Sequence, residues 1–157
     1  MYSSHAAMGF VACFLLAQPT MAGPAEAYIC VAEMSAGLQF DRSQSAWRSN
    51  VFDTTHKVVV KRATPAEAAV GWRWAVWTLG ERTLPTYVCK QDFDARGFLY
   101  CEGFGQFKFN NKNLRFISSY MIGFVDDGLA EEKSSAGAPR AEGGDTPLVR
   151  GGKCSPL

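Results

Sequence analysis

The sequence predicts an all-β fold: a small antiparallel β-barrel or sandwich, a meander of about eight strands with one short helix and two disulfides. Short runs of β-branched and aromatic residues recur at close spacing, bounded by Gly, Asn, Asp, Ser and Pro. Consecutive runs flank polar turn clusters, as hairpins require. Four of the five cysteines fall in the part of the chain that carries these runs.

The first segment reads as an export signal. Residues 6–17 (AAMGFVACFLLA) form an uncharged, apolar run of 12 residues, the length of a secretory h-region and too short to span a bilayer. Pro19 and Pro24 break it, and Ala25-Glu26-Ala27 places small residues where a signal peptidase reads. Cleavage is expected after Ala27, with Thr20-Met21-Ala22 as second choice, giving a signal peptide over 1–27 and one β domain over 28–157. The n-region MYSSH lacks Lys and Arg. A buried helix is the competing interpretation, and the run has no amphipathic period to support it. Lipid attachment at Cys13 would leave too short a leader, since the apolar run continues for four residues beyond it.

Residues 28–34 (YICVAEM) open the mature chain as a strand. Residues 37–41 and 46–52 flank a polar turn at 42–45 and predict a hairpin. Residues 56–62 (HKVVVKR) are a β-branched strand. Thr64-Pro65-Ala66-Glu67 has the form of a helix start, with Thr as cap, Pro in the first turn and Glu three residues on; Gly71 limits it to one or two turns. Residues 72–79 (WRWAVWTL) read as a strand with Trp72, Trp74 and Val76 on one face, although a helix aligning Val70, Trp74 and Trp77 competes. Residues 86–90 and 98–102 flank a turn-rich stretch, 92–97. Residues 106–109, the turn Asn110-Asn111-Lys112-Asn113 with its positive-φ residue type, and 114–120 predict a further hairpin. Leu114, Phe116, Ser118, Tyr120, Ile122 and Phe124 alternate along one face. The stretch 126–146 turns to Gly, Ala, Ser and charges without periodicity and predicts a mobile loop. A terminal strand over 148–154 closes the domain.

Removal of Cys13 with the leader leaves Cys30, Cys89, Cys101 and Cys154, an even set that fits an oxidising compartment. A hairpin centred near Ala95 sets position 89 opposite 101, within reach of a disulfide. Cys30 and Cys154 then tie the first strand to the last. Spacing by itself permits three pairings. The location expected is periplasmic or secreted, with no membrane span after signal cleavage.

Composition bounds the function. A hydrophobic share of 47% supplies a core, and a formal net charge of +1 with no run of four basic residues gives no footprint for nucleic acid. No close Cys pairs or spaced histidines suggest a metal, and no cofactor motif appears. His56 is the one histidine after the cleavage point, with Asp53 three residues before it, and no serine sits in a G-x-S-x-G elbow. A hydrolase using His56 is therefore the weakest functional hypothesis, and His56 is expected to face solvent at a strand start. Asp92 and Asp94 resemble a glycosidase carboxylate pair but are explained by turn chemistry. Asp126-Asp127-Gly128 lacks the alternating ligands of a calcium loop, and no helix follows Gly103-Phe104-Gly105. No catalytic residue is assigned. The aromatic residues are mainly expected to fill the core. Trp72, Trp74, Phe107 and Tyr120 are the candidates for contact with an unidentified partner protein or small apolar ligand. The function expected is non-enzymatic binding.

Tyr28-Ile29-Cys30, Asn113-Leu114-Arg115-Phe116, Tyr120 with Gly123-Phe124-Val125-Asp126, and the ending Gly152-Lys153-Cys154-Ser155-Pro156-Leu157 resemble small exported proteins of alphaproteobacteria, including rhizobial types. The resemblance spans most of the mature chain and implies location, with no catalytic residue to carry over. The Tyr-x-Cys near the mature start and the terminal half-cystine are also similar to periplasmic inhibitors of C-type lysozyme, which are small β-barrels. That similarity implies the alternative function, inhibition of a hydrolase such as lysozyme. The chain departs from those inhibitors at their inserted Ser- and Tyr-bearing loop, where Ser118-Ser119-Tyr120 is short and lies in a predicted strand.

Overall fold

In the computed structural model the described residues are 25–41, 43–44, 46–81, 83–125 and 146–157. The signal peptide expected over 1–27, as far as residue 24, Cys13, Asp126-Asp127-Gly128 and the loop expected at 126–146, save Thr146, lie outside them.

Among the described residues nine strands form: β1 (Ala27–Asp41), β2 (Ala46–Val51), β3 (Lys57–Arg62), β4 (Trp74–Thr78), β5 (Tyr87–Cys89), β6 (Phe98–Gly103), β7 (Gln106–Asn110), β8 (Arg115–Tyr120) and β9 (Leu148–Pro156). Two short helices accompany them, α1 (Pro65–Ala69) and α2 (Ile122–Val125). The sheet order is β2-β1-β3-β4-β5-β6-β7-β8-β9, and β1 also pairs with β9. Eight strands therefore close an antiparallel barrel while β2 stands outside it, which is the first-to-last closure expected of the meander.

β1 is long enough to serve two neighbours on one side. Its residues 27–31 pair with β3 and its residues 36–41 with β2. The pairing with β9 ends at Gly37, so beyond that point the β1–β2 hairpin leaves the barrel as an arm. Phe40 and Trp47 meet edge to face across this arm at 5.4 Å, and Phe124 of α2 meets Trp47 at 5.4 Å.

Period-two alternation builds the core. Val58 and Val60 of β3, Leu99 and Cys101 of β6, and Phe107 and Phe109 of β7 point inward and are 2% exposed or less. Tyr28, Trp74 and Phe116 complete the filling, as in a barrel whose eight strands leave just enough width for side chains. Both expected disulfides form. Cys30 and Cys154 are direct partners in the β1–β9 ladder, Cα–Cα 3.9 Å, and lock the seam where the barrel closes. Cys89 and Cys101 join β5 to β6, Cα–Cα 4.1 Å.

One end of the barrel is plugged by the 90–97 loop. Phe93 leans over the core with its ring 5.0 Å from Trp74 and 5.7 Å from Phe109. Asp92 fixes that loop: one oxygen accepts from Trp74 Nε1–H at 2.8 Å, the other pairs with Arg62 at 3.1 Å. Asp94 accepts from the Arg96 and Phe98 backbone N–H groups at 3.0 and 2.8 Å. The two carboxylates build a turn, as expected from their setting. α1 likewise follows its sequence, with Thr64 and Glu67 forming a capping box.

Three local expectations are corrected. Trp72 precedes β4, which begins at Trp74. In the β7–β8 turn the positive φ falls on Leu114 (φ 56°) and not on an asparagine. The asparagines act through side-chain hydrogen bonds instead: Asn110 Oδ1 accepts from Lys112 N–H at 2.9 Å, and Asn113 Oδ1 accepts from Arg115 N–H at 3.0 Å. The alternating face of β8 stops at Tyr120, because residues 122–125 coil into α2 and direct Phe124 to Trp47.

Candidate functional site

The end of the barrel opposite the Phe93 plug is polar, and β9 explains how. Alternation counted back from buried Cys154 points Gly152 and then Arg150 inward. Arg150 is the direct ladder partner of Ser118 on β8 and of Ser35 on β1. Both serines are buried, 4% and 2% exposed. Tyr87 of β5, which is not adjacent to β9 in the sheet, hydrogen-bonds with Ser118, and the charge of Arg150 acts on it across the barrel interior.

Ser35 reaches the interior by an irregularity. Tyr28, Cys30 and Ala32 face inward in regular alternation, which would put Ser35 outside. A β-bulge between Ala32 and Met34 leaves Glu33 as an extra residue and reverses the phase, so Ser35 turns inward opposite Arg150. Gly152 makes the bulge possible: a Cβ there would collide with the Val31 carbonyl oxygen and lie 2.9 Å from Ala32 Cα.

Three buried side-chain polar atoms among the described residues have no hydrogen-bond partner: Ser35 Oγ, Arg150 Nε and Trp77 Nε1. Two of the three therefore sit side by side at this end of the barrel. An unpartnered buried polar atom costs about 1–3 kcal/mol, so their coincidence marks a place where the fold keeps donors unsatisfied.

Among the described residues, the titratable groups on which the charge of Arg150 acts are a phenol, an imidazole and one exposed acid. Burial pushes the Tyr87 phenol up, opposed by its hydrogen bond with Ser118 and by the charge of Arg150, so it stays protonated. Burial and Arg150 push the His56 imidazole down from 6.5, with Asp53 opposing, so it is uncharged at neutral pH. Hydrogen bonds from Thr55 hold the Asp53 carboxyl low; its Oδ1 accepts from Thr55 N–H at 3.2 Å and Oγ1–H at 2.8 Å. The expectation that His56 faces solvent is thus corrected: it is half-buried, because the 52–56 segment between β2 and β3 runs along β1, with Phe52 N–H donating to the Ser35 carbonyl at 3.0 Å and Ala32 N–H to the His56 carbonyl at 3.1 Å. Its neighbour Asp53 is engaged by Thr55.

The four aromatic contact candidates are not brought together. Trp74 and Phe107 are core residues, each 1% exposed. Trp74 lies at the plugged end, whereas Phe107, the ladder partner of Ser118, floors the polar end with Tyr87 at 5.6 Å and Phe116 at 5.4 Å. Trp72 is half-buried ahead of β4, and Tyr120 is half-buried at the end of β8. Arg150, Ser35 and Tyr87 escaped the sequence-based prediction. For Arg150 a signal existed, since it is a charged residue an even number of positions before a buried cysteine on one strand. For Ser35 none did, because a bulge is invisible in the hydrophobic pattern.

A shallow concavity of 280 Å³ lies elsewhere, on the outer face between β3 and β4, lined in part by Val59, Lys61, Trp77 and Glu81. Lys61 Nζ lies over the Trp77 ring at 4.4 Å and covers its face.

Comparison with protein-family models, curated proteins and solved structures finds no match to this chain. Its chemistry is read from its own geometry. The two disulfides fit an oxidising compartment, and among the described residues no helix is long and apolar enough to cross a membrane.

Proposed function

We propose that the protein is an exported, periplasmic or secreted, non-catalytic binding barrel whose ligand is taken at the Arg150 end. One observation carries this reading: in a barrel filled mainly with apolar side chains, two buried polar atoms on ladder-partner residues, Ser35 Oγ and Arg150 Nε, lack partners. Two disulfides, one across the barrel seam, hold the surrounding strands in place, which reduces the ordering cost of binding. The resemblance to small exported alphaproteobacterial proteins supports the exported location in this proposal.

Native mass spectrometry of the protein purified from its own host tests it. The result expected is a disulfide-bonded chain starting at Tyr28 that carries a small-molecule adduct, with the adduct lost in an Arg150→Lys variant. A bare chain from the host, or an adduct that survives the Arg150 change, would overturn the assignment of ligand binding to this end.

A further inference from the structure

We propose that the Arg150 end of the barrel is an oxyanion site, in which the Arg150 guanidinium and the Ser35 hydroxyl together hold one carboxylate or phosphate group. This rests on the reading of that end as the binding site and specifies the chemistry of its ligand. The two unpartnered atoms are complementary in kind. A guanidinium offers only donors, and a serine hydroxyl adds one more beside it. They face each other as direct partners in the β1–β9 ladder, where paired Cα atoms stand about 4.5–5.5 Å apart. A carboxylate or phosphate, with two or more acceptor oxygens on a short spacing, can satisfy both at once and engage the guanidinium fork.

Charge selects an anion over a neutral acceptor. The Arg150 Nε is buried while the residue as a whole is half-buried, and a guanidinium makes its strongest hydrogen bonds to an ionised acceptor. Among the described residues no neighbour fills that role. His56 and Tyr87 are uncharged at neutral pH. Ser118 is engaged with Tyr87. Asp53, the acid whose titration Arg150 influences, is exposed and held by Thr55. Among the described residues it forms no ion pair with Arg150, whereas five other pairs do form. Phe107 packs against both Tyr87 and Phe116 beneath this end, and in the proposed complex an anionic head reaches Arg150 while the rest of the ligand stays outside the barrel.

The test is an NMR titration of the disulfide-bonded protein, following the Arg150 Nε–H and Ser35 backbone resonances. Inorganic phosphate, acetate and neutral acetamide are compared at constant ionic strength set with chloride. Saturable shifts with phosphate or acetate, and none with acetamide, are expected. Saturation by phosphate alone assigns a phosphate-bearing ligand, and by acetate alone a carboxylate. Arg150→Lys keeps the charge but loses Nε and the planar fork, and should weaken binding about tenfold or more. Ser35→Ala should weaken it about threefold or more and serves if the lysine variant does not fold. Failure of both anions to saturate, or undiminished binding in a folded variant, overturns the oxyanion assignment. Equal binding of acetamide overturns it while leaving the barrel a binding module, and a neutral adduct from the host would say the same.

Discussion

Ser35 and Arg150 face each other across the β1–β9 ladder, although Ser35 is out of phase with the buried Tyr28, Cys30 and Ala32 that precede it on the same strand. The extra residue Glu33 makes the difference. It adds one position to β1, and the strand continues with its faces exchanged. A buried serine hydroxyl is thereby set beside a buried guanidinium nitrogen, and neither has a partner.

Replacement of Ser35 by alanine should raise the stability of the ligand-free protein by about 1 kcal/mol, because it deletes an unsatisfied buried hydroxyl without opening a large cavity. The urea midpoint checks it. A lower midpoint would show that the hydroxyl is satisfied and that the fold depends on it.

Gly152→Ala should be severely destabilising, by about 3 kcal/mol or more, since its Cβ meets backbone of β1 that cannot move aside without opening the barrel seam. The expected readout is loss of near-ultraviolet circular dichroism at a temperature where the parent is folded. Gly80 provides the contrast. Its φ of 97° penalises a side chain while the space around it is open, so Gly80→Ala should cost less, about 1 kcal/mol.

The two disulfides should differ in worth. Cys30–Cys154 closes a separation of 124 residues and Cys89–Cys101 one of 12. Loop entropy then gives about 5 kcal/mol for the first and about 3 kcal/mol for the second. Paired Cys→Ala variants, compared by denaturant midpoint, should rank in that order. The reverse order would mean that residual structure in the unfolded chain, and not loop length, sets the effect.

Stability should fall as the pH drops below about 6.5 through the titration of His56. Burial and Arg150 lower its pKa in the folded protein, so below the unfolded value of 6.5 the unfolded chain binds the proton more readily. The associated stability is present above that value and is lost progressively as the pH falls through the folded pKa. His56→Gln should flatten the change in urea midpoint between about pH 7.5 and about pH 5.5. An unchanged slope would place the responsible group elsewhere.

Much of the fold was legible because barrel strands obey local rules. The Val58-Val59-Val60 run, the Thr64 to Glu67 capping box, and the strands on either side of residues 92–97 each announce themselves within a few residues. Cys89 and Cys101 could be paired because one hairpin sets them opposite each other, and a meander brings Cys154 to Cys30. α2 was missed because Ile122 and Phe124 also fit a period of two, and four residues are too few to display a helical one. Of the aromatic candidates Trp74 and Phe107 are core residues, and composition does not distinguish a ring that lines a site from one that fills a core.

By itself the sequence determined the all-β class, the helix start and an even set of four cysteines, which depend on alternation, turn chemistry and cysteine parity. The expected pairing and the closure of the first strand on the last were settled by the structure. Only the tertiary structure decided that Ser35 faces inward, that β2 leaves the barrel, and that Arg150, Tyr87, Ser118 and His56 converge at one end. The physical reason is that a bulge inverts a strand's faces without altering its hydrophobic pattern, and closure joins strands whose sequences lie far apart.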